Sequence, residues 1–244
     1  MTSCFNIAGK KALVTGGGSG IGKALAAALV AEGCSVAIVG RRSDLLAEVS
    51  AEIGAKAIVG DVTTTSDLER IVSEAGHVDI LINAAGVNLR QAVDEITEDS
   101  WDQTIDVNLK AVFFLSRALV TGMRERSWGK IINIASLQSE RAFANSVPYG
   151  ASKGGVMQLT RAMAEAWSKD GITVNAIGPG FFPTELTAPV YGNPEKLAEL
   201  AAQTAIGRNG ELEDLVGPTL FFASPASDYV TGQTLYVDGG FTAK

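Results

Sequence analysis

Lys11-Ala12-Leu13-Val14-Thr15-Gly16-Gly17-Gly18-Ser19-Gly20-Ile21-Gly22 decides the fold. The first five residues form a short apolar run of strand length, and a glycine-rich turn follows at once. Ile21, Leu25, Ala28 and Leu29 then recur at helical spacing up to Gly33, a natural C-terminal stop. Strand, glycine turn and helix together make an anion cradle. Backbone N–H groups and the positive end of the helix dipole meet the ligand, and glycine permits the close approach. Gly17-x-x-x-x-Gly22-Lys23 nearly matches the triphosphatase loop, but that loop needs Ser or Thr next to hold Mg²⁺, and this chain has Ala24. The cradle therefore reads as one for a nucleotide without a magnesium hydroxyl.

Working outward, short apolar runs at 35–39, 56–60, 79–82, 130–134, 173–177 and 234–237 alternate with helical patterns. That alternation predicts a doubly wound parallel sheet of seven strands. No linker, charge block or repeat divides the 244 residues, so one domain is expected over 1–244, with an irregular excursion at 181–210 read as a substrate lid. A short helix near 195–203 lies within it.

The second strand ends in Gly40-Arg41-Arg42, where dinucleotide folds that take NAD place an acid on the adenine-side ribose. Two arginines instead suit a 2′-phosphate, which points to NADP over NAD; the alternative is two solvated charges. Asp61 and Asn83 stand at strand carboxyl ends, where ligands bind, although Asp61 is equally a turn or capping residue. Residues 101–123 read as one long helix whose apolar stripe is interrupted by Asn108, either a satisfied buried amide or a polar hook toward the site.

Ser136 sits where the strand at 130–134 runs out. Tyr149 and Lys153 follow on a helix running to Trp167, one turn apart (about 6 Å along the axis) and on one face. An ammonium beside a phenol favours the phenolate, so the spacing, together with a cationic cofactor ring, predicts a tyrosine pulled below its usual pKa of ~10 and fit for proton exchange with a carbonyl/alcohol pair.

The chain is 46% hydrophobic with a net charge of −7. That balance argues against nucleic acid or an anionic membrane as partner and leaves a small-molecule substrate. Residues 1–7 show no basic segment before an apolar core, so no signal peptide is expected. Cys4 and Cys34 form no motif and fit a reduced, cytoplasmic setting. His77 is the only histidine, and with two isolated cysteines it argues against a catalytic zinc of the alcohol-dehydrogenase kind and against a Ser-His-Asp hydrolase, so no metal is expected; it reads as a loop residue without chemical role.

Taken together these residues resemble the short-chain dehydrogenase/reductase family over nearly the whole chain. Thr15-Gly16 through Ser19, Gly20, Ile21 and Gly22 resembles its cofactor loop, Asp61-Val62 its adenine contact, and Asn83-Ala84-Ala85-Gly86 its sheet-stabilising turn. Asn108, Ser136, Tyr149 and Lys153 match the catalytic tetrad in order and spacing. Pro179-Gly180 with Phe182 and Thr184 resembles the nicotinamide-side loop. The resemblance implies a Rossmann fold, strand order 3-2-1-4-5-6-7, a homotetramer, and hydride transfer with Tyr149 as acid and base. It also implies that Lys153 holds the ribose hydroxyls, that Ser136 donates to the substrate oxygen, and that Asn108 anchors a water leading to Lys153. A narrower resemblance, carried by residues 136–141, 175–182 and 234–240, is to gluconate 5-dehydrogenases within the family. Arg90 and Arg141 are then candidate clamps for a sugar-acid carboxylate, though each is equally a solvated loop charge, and Gln138 a reader of a sugar hydroxyl. Two other readings stay open: a 3-oxoacyl-carrier-protein reductase, which needs a basic docking patch, and a nucleotide-sensing protein without turnover, which would show a broken tetrad.

Overall fold

The computed structural model describes residues 4–244; Met1–Ser3, the start of the stretch read for a leader, lie outside the described residues. The chain runs β1 (Lys11–Thr15), α1 (Gly20–Ala31), β2 (Ser35–Gly40), α2 (Ser43–Ile53), β3 (Lys56–Val59), α3 (Thr65–Ala75) and β4 (Ile80–Asn83). Then follow α4 (Glu98–Ile105), α5 (Ala111–Glu125), β5 (Gly129–Ile134), α6 (Val147–Trp167), β6 (Ile172–Pro179), α7 (Ala188–Tyr191), α8 (Pro194–Gln203), α9 (Val216–Ala223) and β7 (Thr234–Val237).

Among the described residues the strands form a single seven-stranded sheet in the order β3-β2-β1-β4-β5-β6-β7, and every pairing is parallel. A parallel sheet must be covered on both faces, which is why β5 and β6 are buried at every position. The period of two divides the strand residues between two cores. Val14, Ile38, Ile80, Ile82 and Ile132 pack with Leu25 and Leu29 of α1 and Phe222 of α9. Leu13, Val39, Leu81 and Ile131 point the other way, onto Ile71 of α3, Leu115 of α5 and Met163 of α6. Full burial of each such side chain contributes about 1.5–3 kcal/mol.

The order reverses between β1 and β4. The chain leaves β1 toward β2 and β3 on one side and returns to β4 on the other, which opens a crevice at the strand carboxyl ends.

One expectation is corrected. Residues 101–123 are not one regular helix: α4 and α5 are joined by a π-helical turn, Asp106–Lys110, where Ala111 N–H reaches back to Asp106 C=O. Asn108 lies in that wider turn, so the residue that broke the apolar stripe marks a local change of helix geometry. At the opposite end of the sheet His77 lies in the loop before β4 and is held there. Its Nε2 is 2.7 Å from Asp79 Oδ1, and Asp79 also accepts from Lys11 N at 3.0 Å. His77 thus serves the sheet's amino edge, away from the crevice. No helix among the described residues is long and apolar enough to cross a membrane.

Candidate active site

A cavity of about 830 Å³ fills the crevice. Its floor is the glycine turn. Gly16 has φ +67°, and a Cβ there would lie 2.9 Å from the Ala85 backbone. A Cβ on Gly22 would come within 2.3 Å of Gly16 O. Only bare backbone lets the turn fold this tightly against α1 and β4. Ser19 stands at the amino end of α1 without capping it, and the first turn carries no acidic residue, so the helix N–H groups are left to an anion. The residues therefore fit the diphosphate of a dinucleotide. Thr15 Oγ1 fixes the adjoining turn by accepting from Ala84 N and Ala85 N, both at 3.1 Å.

One end of the cavity is lined by Arg41, Arg42, Asp61 and Val62. Asp61 accepts from Thr63 N at 2.9 Å and Thr63 Oγ1 at 2.7 Å, with Arg41 Nη1 at 3.6 Å. Burial pushes its carboxyl up, but the Thr63 bonds and Arg41 outweigh it, and the group stays below the usual carboxylate range.

The other end holds Ser136, Tyr149 and Lys153, with Gly86 and Arg90 on one side and Pro179, Gly180, Phe182 and Thr184 on the other. Ser136 follows β5 in extended conformation and caps the next short turn, its Oγ accepting from Gln138 N at 3.1 Å. Pro148 starts α6, which places Tyr149 in the first turn and Lys153 in the second. Ser152 Oγ donates to Tyr149 O at 2.7 Å and accepts from Asn108 Nδ2 at 3.0 Å.

The proton chemistry differs from the expectation. Burial raises the Tyr149 phenol above its ordinary value; a hydrogen bond with Ser136 and the charge of Arg90 pull it partly back. Lys153 is not among the causes. Its Nζ lies 5.7 Å from the Tyr149 ring centre and donates to Ile134 O at 2.6 Å. The strand-end carbonyl holds the ammonium, so Lys153 does not lower the phenol as predicted. Burial instead lowers Lys153 itself to about 8.

A buried lysine at about 8, against ~10.4 in the unfolded chain, gives a signed prediction. Below pH 8 both states are charged and burial of the ammonium destabilises the fold in full. Between these values the unfolded chain binds more protons, so that loss shrinks as pH rises. Lys153→Met should therefore be more stable than wild type at pH 7, with the difference closing toward pH 10 in denaturant melts without cofactor. A pH-independent difference would contradict this assignment.

Asn108 and Asn83 do not line the cavity. Asn108 is fully buried and closes a ring behind it: Oδ1 accepts from Val87 N at 2.8 Å, and Nδ2 donates to Val87 O at 2.9 Å and to Ser152 Oγ. A Gly86 Cβ would lie 3.4 Å from its Oδ1 and 3.8 Å from Lys153 Nζ, so the two residues flank the same glycine. Asn83 lies under the turn, opposite Asn133 in the β4–β5 register, and bonds Asn133 Oδ1 at 2.9 Å and Ser116 Oγ at 3.1 Å. Its expected cofactor contact is replaced by a polar tie inside the sheet.

Gln138 and Arg141 also fall outside. Arg141 is exposed and donates to Lys244 O at 3.2 Å, and Gln138 Oε1 is buried without a protein partner, near Gly150. Of the substrate candidates, only Arg90, Ser136 and Tyr149 face the cavity. Arg90 holds φ +49°, an uncommon conformation for a non-glycine residue, at the cavity edge. The sequence reading misses Glu185, a carboxylate of the irregular 181–210 stretch on the cavity wall, and Ser152, which sits between Tyr149 and Lys153 and joins Asn108 to Tyr149.

A dinucleotide cradle that opens onto a Ser, Tyr and Lys cluster defines an NAD(P)-dependent oxidoreductase of alcohols and carbonyls. More narrowly, the chain belongs to the short-chain dehydrogenase/reductase family: a family model described as enoyl-(acyl carrier protein) reductase matches residues 16–242. The chain is 39% identical to a gluconate 5-dehydrogenase of Gluconobacter oxydans, over 98% of this chain and 96% of that one. It is also 39% identical to a 2-dehydro-3-deoxy-D-gluconate 5-dehydrogenase of Escherichia coli, over 99% of each. The crystal structure of a gluconate 5-dehydrogenase from Burkholderia cenocepacia in complex with NADP and tartrate superposes with a TM-score of 0.93 at 37% identity, covering 98% of both chains.

Proposed function

We propose that this chain is an NADP-dependent oxidoreductase of sugar acids or polyols that interconverts gluconate and 5-ketogluconate. The carrying observation is the single cavity that joins the glycine cradle and the Arg41/Arg42 end to Ser136, Tyr149 and Arg90. When bound, NADP supplies or accepts the hydride at its nicotinamide. Tyr149 gives the proton to the substrate oxygen in reduction and takes it in oxidation. Ser136 donates to the same oxygen and holds the phenol. Lys153 keeps its ammonium toward the ribose side, and Asn108 fixes Val87 and Ser152 behind it. Arg90 pairs with the substrate carboxylate, and residues 181–210 act as the lid. The enzyme is read as a cytoplasmic homotetramer, the assembly that the family resemblance implies.

The test is a screen of sugar acids, neutral polyols and acyl thioesters with NADP and NAD, followed by nicotinamide absorbance. Gluconate with NADP should give the highest kcat/KM. Arg90→Ala should then raise the KM for gluconate about tenfold, the scale of one lost charged hydrogen bond, and leave the KM for a neutral polyol unchanged. A preference for acyl thioesters, or equal effects of Arg90→Ala on both substrates, would overturn the assignment.

A further inference from the structure

Arg41 and Arg42 leave β2 side by side, yet their side chains go to different places. Arg41 makes one long contact, 3.6 Å, to Asp61 at the end of β3. Arg42 reaches the lid instead. Its Nη1 and Nη2 donate to Glu185 Oε1 and Oε2 at 3.0 and 2.7 Å, and Nη2 also donates to Ser19 Oγ at 3.2 Å. Glu185 lies 143 residues further along the chain. One guanidinium thus ties together the end of β2, the glycine turn and the lid. Beside it, Thr184 approaches within 3.2 Å of the place a Gly20 Cβ would occupy, so the lid rests directly on the turn.

We propose that the two arginines divide the recognition of cofactor: Arg41 reads the 2′-phosphate, whereas Arg42 and Glu185 are positioning residues that fasten the lid over the glycine turn for either dinucleotide. This rests on the NADP reading above. A forked carboxylate pair occupies the same guanidinium edge that a phosphate would take, so Arg42 in this state has little left to offer one. Arg41 has one long contact to a carboxylate already engaged by Thr63, which leaves most of its donors free on the wall shared with Asp61 and Val62. Both Arg42 and Glu185 side chains are well exposed, and exposed pairs shift an equilibrium by about fivefold at most.

The experiment measures dissociation constants of NADP and NAD by titration calorimetry on the full chain, together with kcat and KM. Arg41→Ala should reduce the NADP-over-NAD preference by tenfold or more. Glu185→Gln and Arg42→Ala should each weaken both cofactors about three- to fivefold, with the preference unchanged, and the double variant should be no worse than either single one. The charge swap R42E/E185R should restore binding. The division is overturned if Arg42→Ala changes the preference as much as Arg41→Ala, or if Glu185→Gln leaves both affinities at the wild-type value. Should Arg41→Ala leave the preference intact, Arg41 is not the reader of the 2′-phosphate and the division falls, whereas a wild type without preference for NADP would remove the NADP reading itself; in either case the Glu185 arm still decides the lid contact.

Discussion

Tyr149→Phe should lower turnover by about 10³-fold while the NADP dissociation constant stays within twofold of wild type. General acid–base catalysis by one positioned side chain is worth about 10²–10⁴-fold. The substitution removes a single hydroxyl from a buried ring in the first turn of α6 and leaves the ring's packing in place. Neither the glycine turn nor the Arg41 wall is touched, so binding of the cofactor and transfer of the proton separate cleanly. Because burial holds the phenol above its ordinary value, the proposed acid of reduction is favoured in the form that carries the proton. In oxidation the same group must first lose its proton. The oxidative rate should therefore climb with pH, and Ser136→Ala should move that rise to higher pH by removing the hydrogen bond that favours the phenolate. Turnover of Tyr149→Phe within tenfold of wild type would assign the proton to another group.

The sheet was legible because its signal is local and periodic. The strands expected at 11–15 and 234–237 agree with the structure to the residue and the others to within one or two, since buried parallel strands are continuous apolar runs. β6 runs on through Gly178 and Pro179 because its last residues pair with β7, a partner 58 residues away that no local pattern announces. The Tyr149–Lys153 spacing gave their shared face correctly, but not where Lys153 Nζ would end. Ile134 O, the acceptor that draws it away from the phenol, belongs to a different element, and backbone acceptors leave no mark in a sequence. Asn83 is ambiguous in the sequence for a related reason. A polar residue at a strand end reads the same whether it faces the ligand or its neighbour strand, and only the β4–β5 register turns Asn83 toward Asn133. Glu185 carried no signal at all, being a single acid in an irregular stretch; its meaning comes from Arg42 across the cavity.

Gly22→Ala should weaken NADP and NAD alike by about 10- to 100-fold, the scale of the 1–3 kcal/mol that overpacking costs. The new methyl would sit 2.3 Å from Gly16 O and 2.7 Å from Gly16 C, and these are backbone atoms that no rotamer change can move aside. The turn cannot simply retreat, because Gly16 is itself closed against the Ala85 backbone and Gly17 against Ile38. Relief therefore comes from shifting the turn away from α1, which misaligns the helix N–H groups with the diphosphate. Both cofactors share that diphosphate, so their ratio should hold while both affinities fall, the opposite pattern to that of Arg41→Ala. Gly217→Ala supplies the control. It lies in the first turn of α9 with nothing within 4 Å of its added methyl, and the same chemical change there should stabilise the fold by about 0.4–1 kcal/mol through the unfolded chain. Gly217→Ala should thus raise the melting temperature and leave cofactor titration at the wild-type value, whereas Gly22→Ala should lose cofactor affinity. Wild-type affinity in Gly22→Ala would mean that the dinucleotide does not lie on this turn.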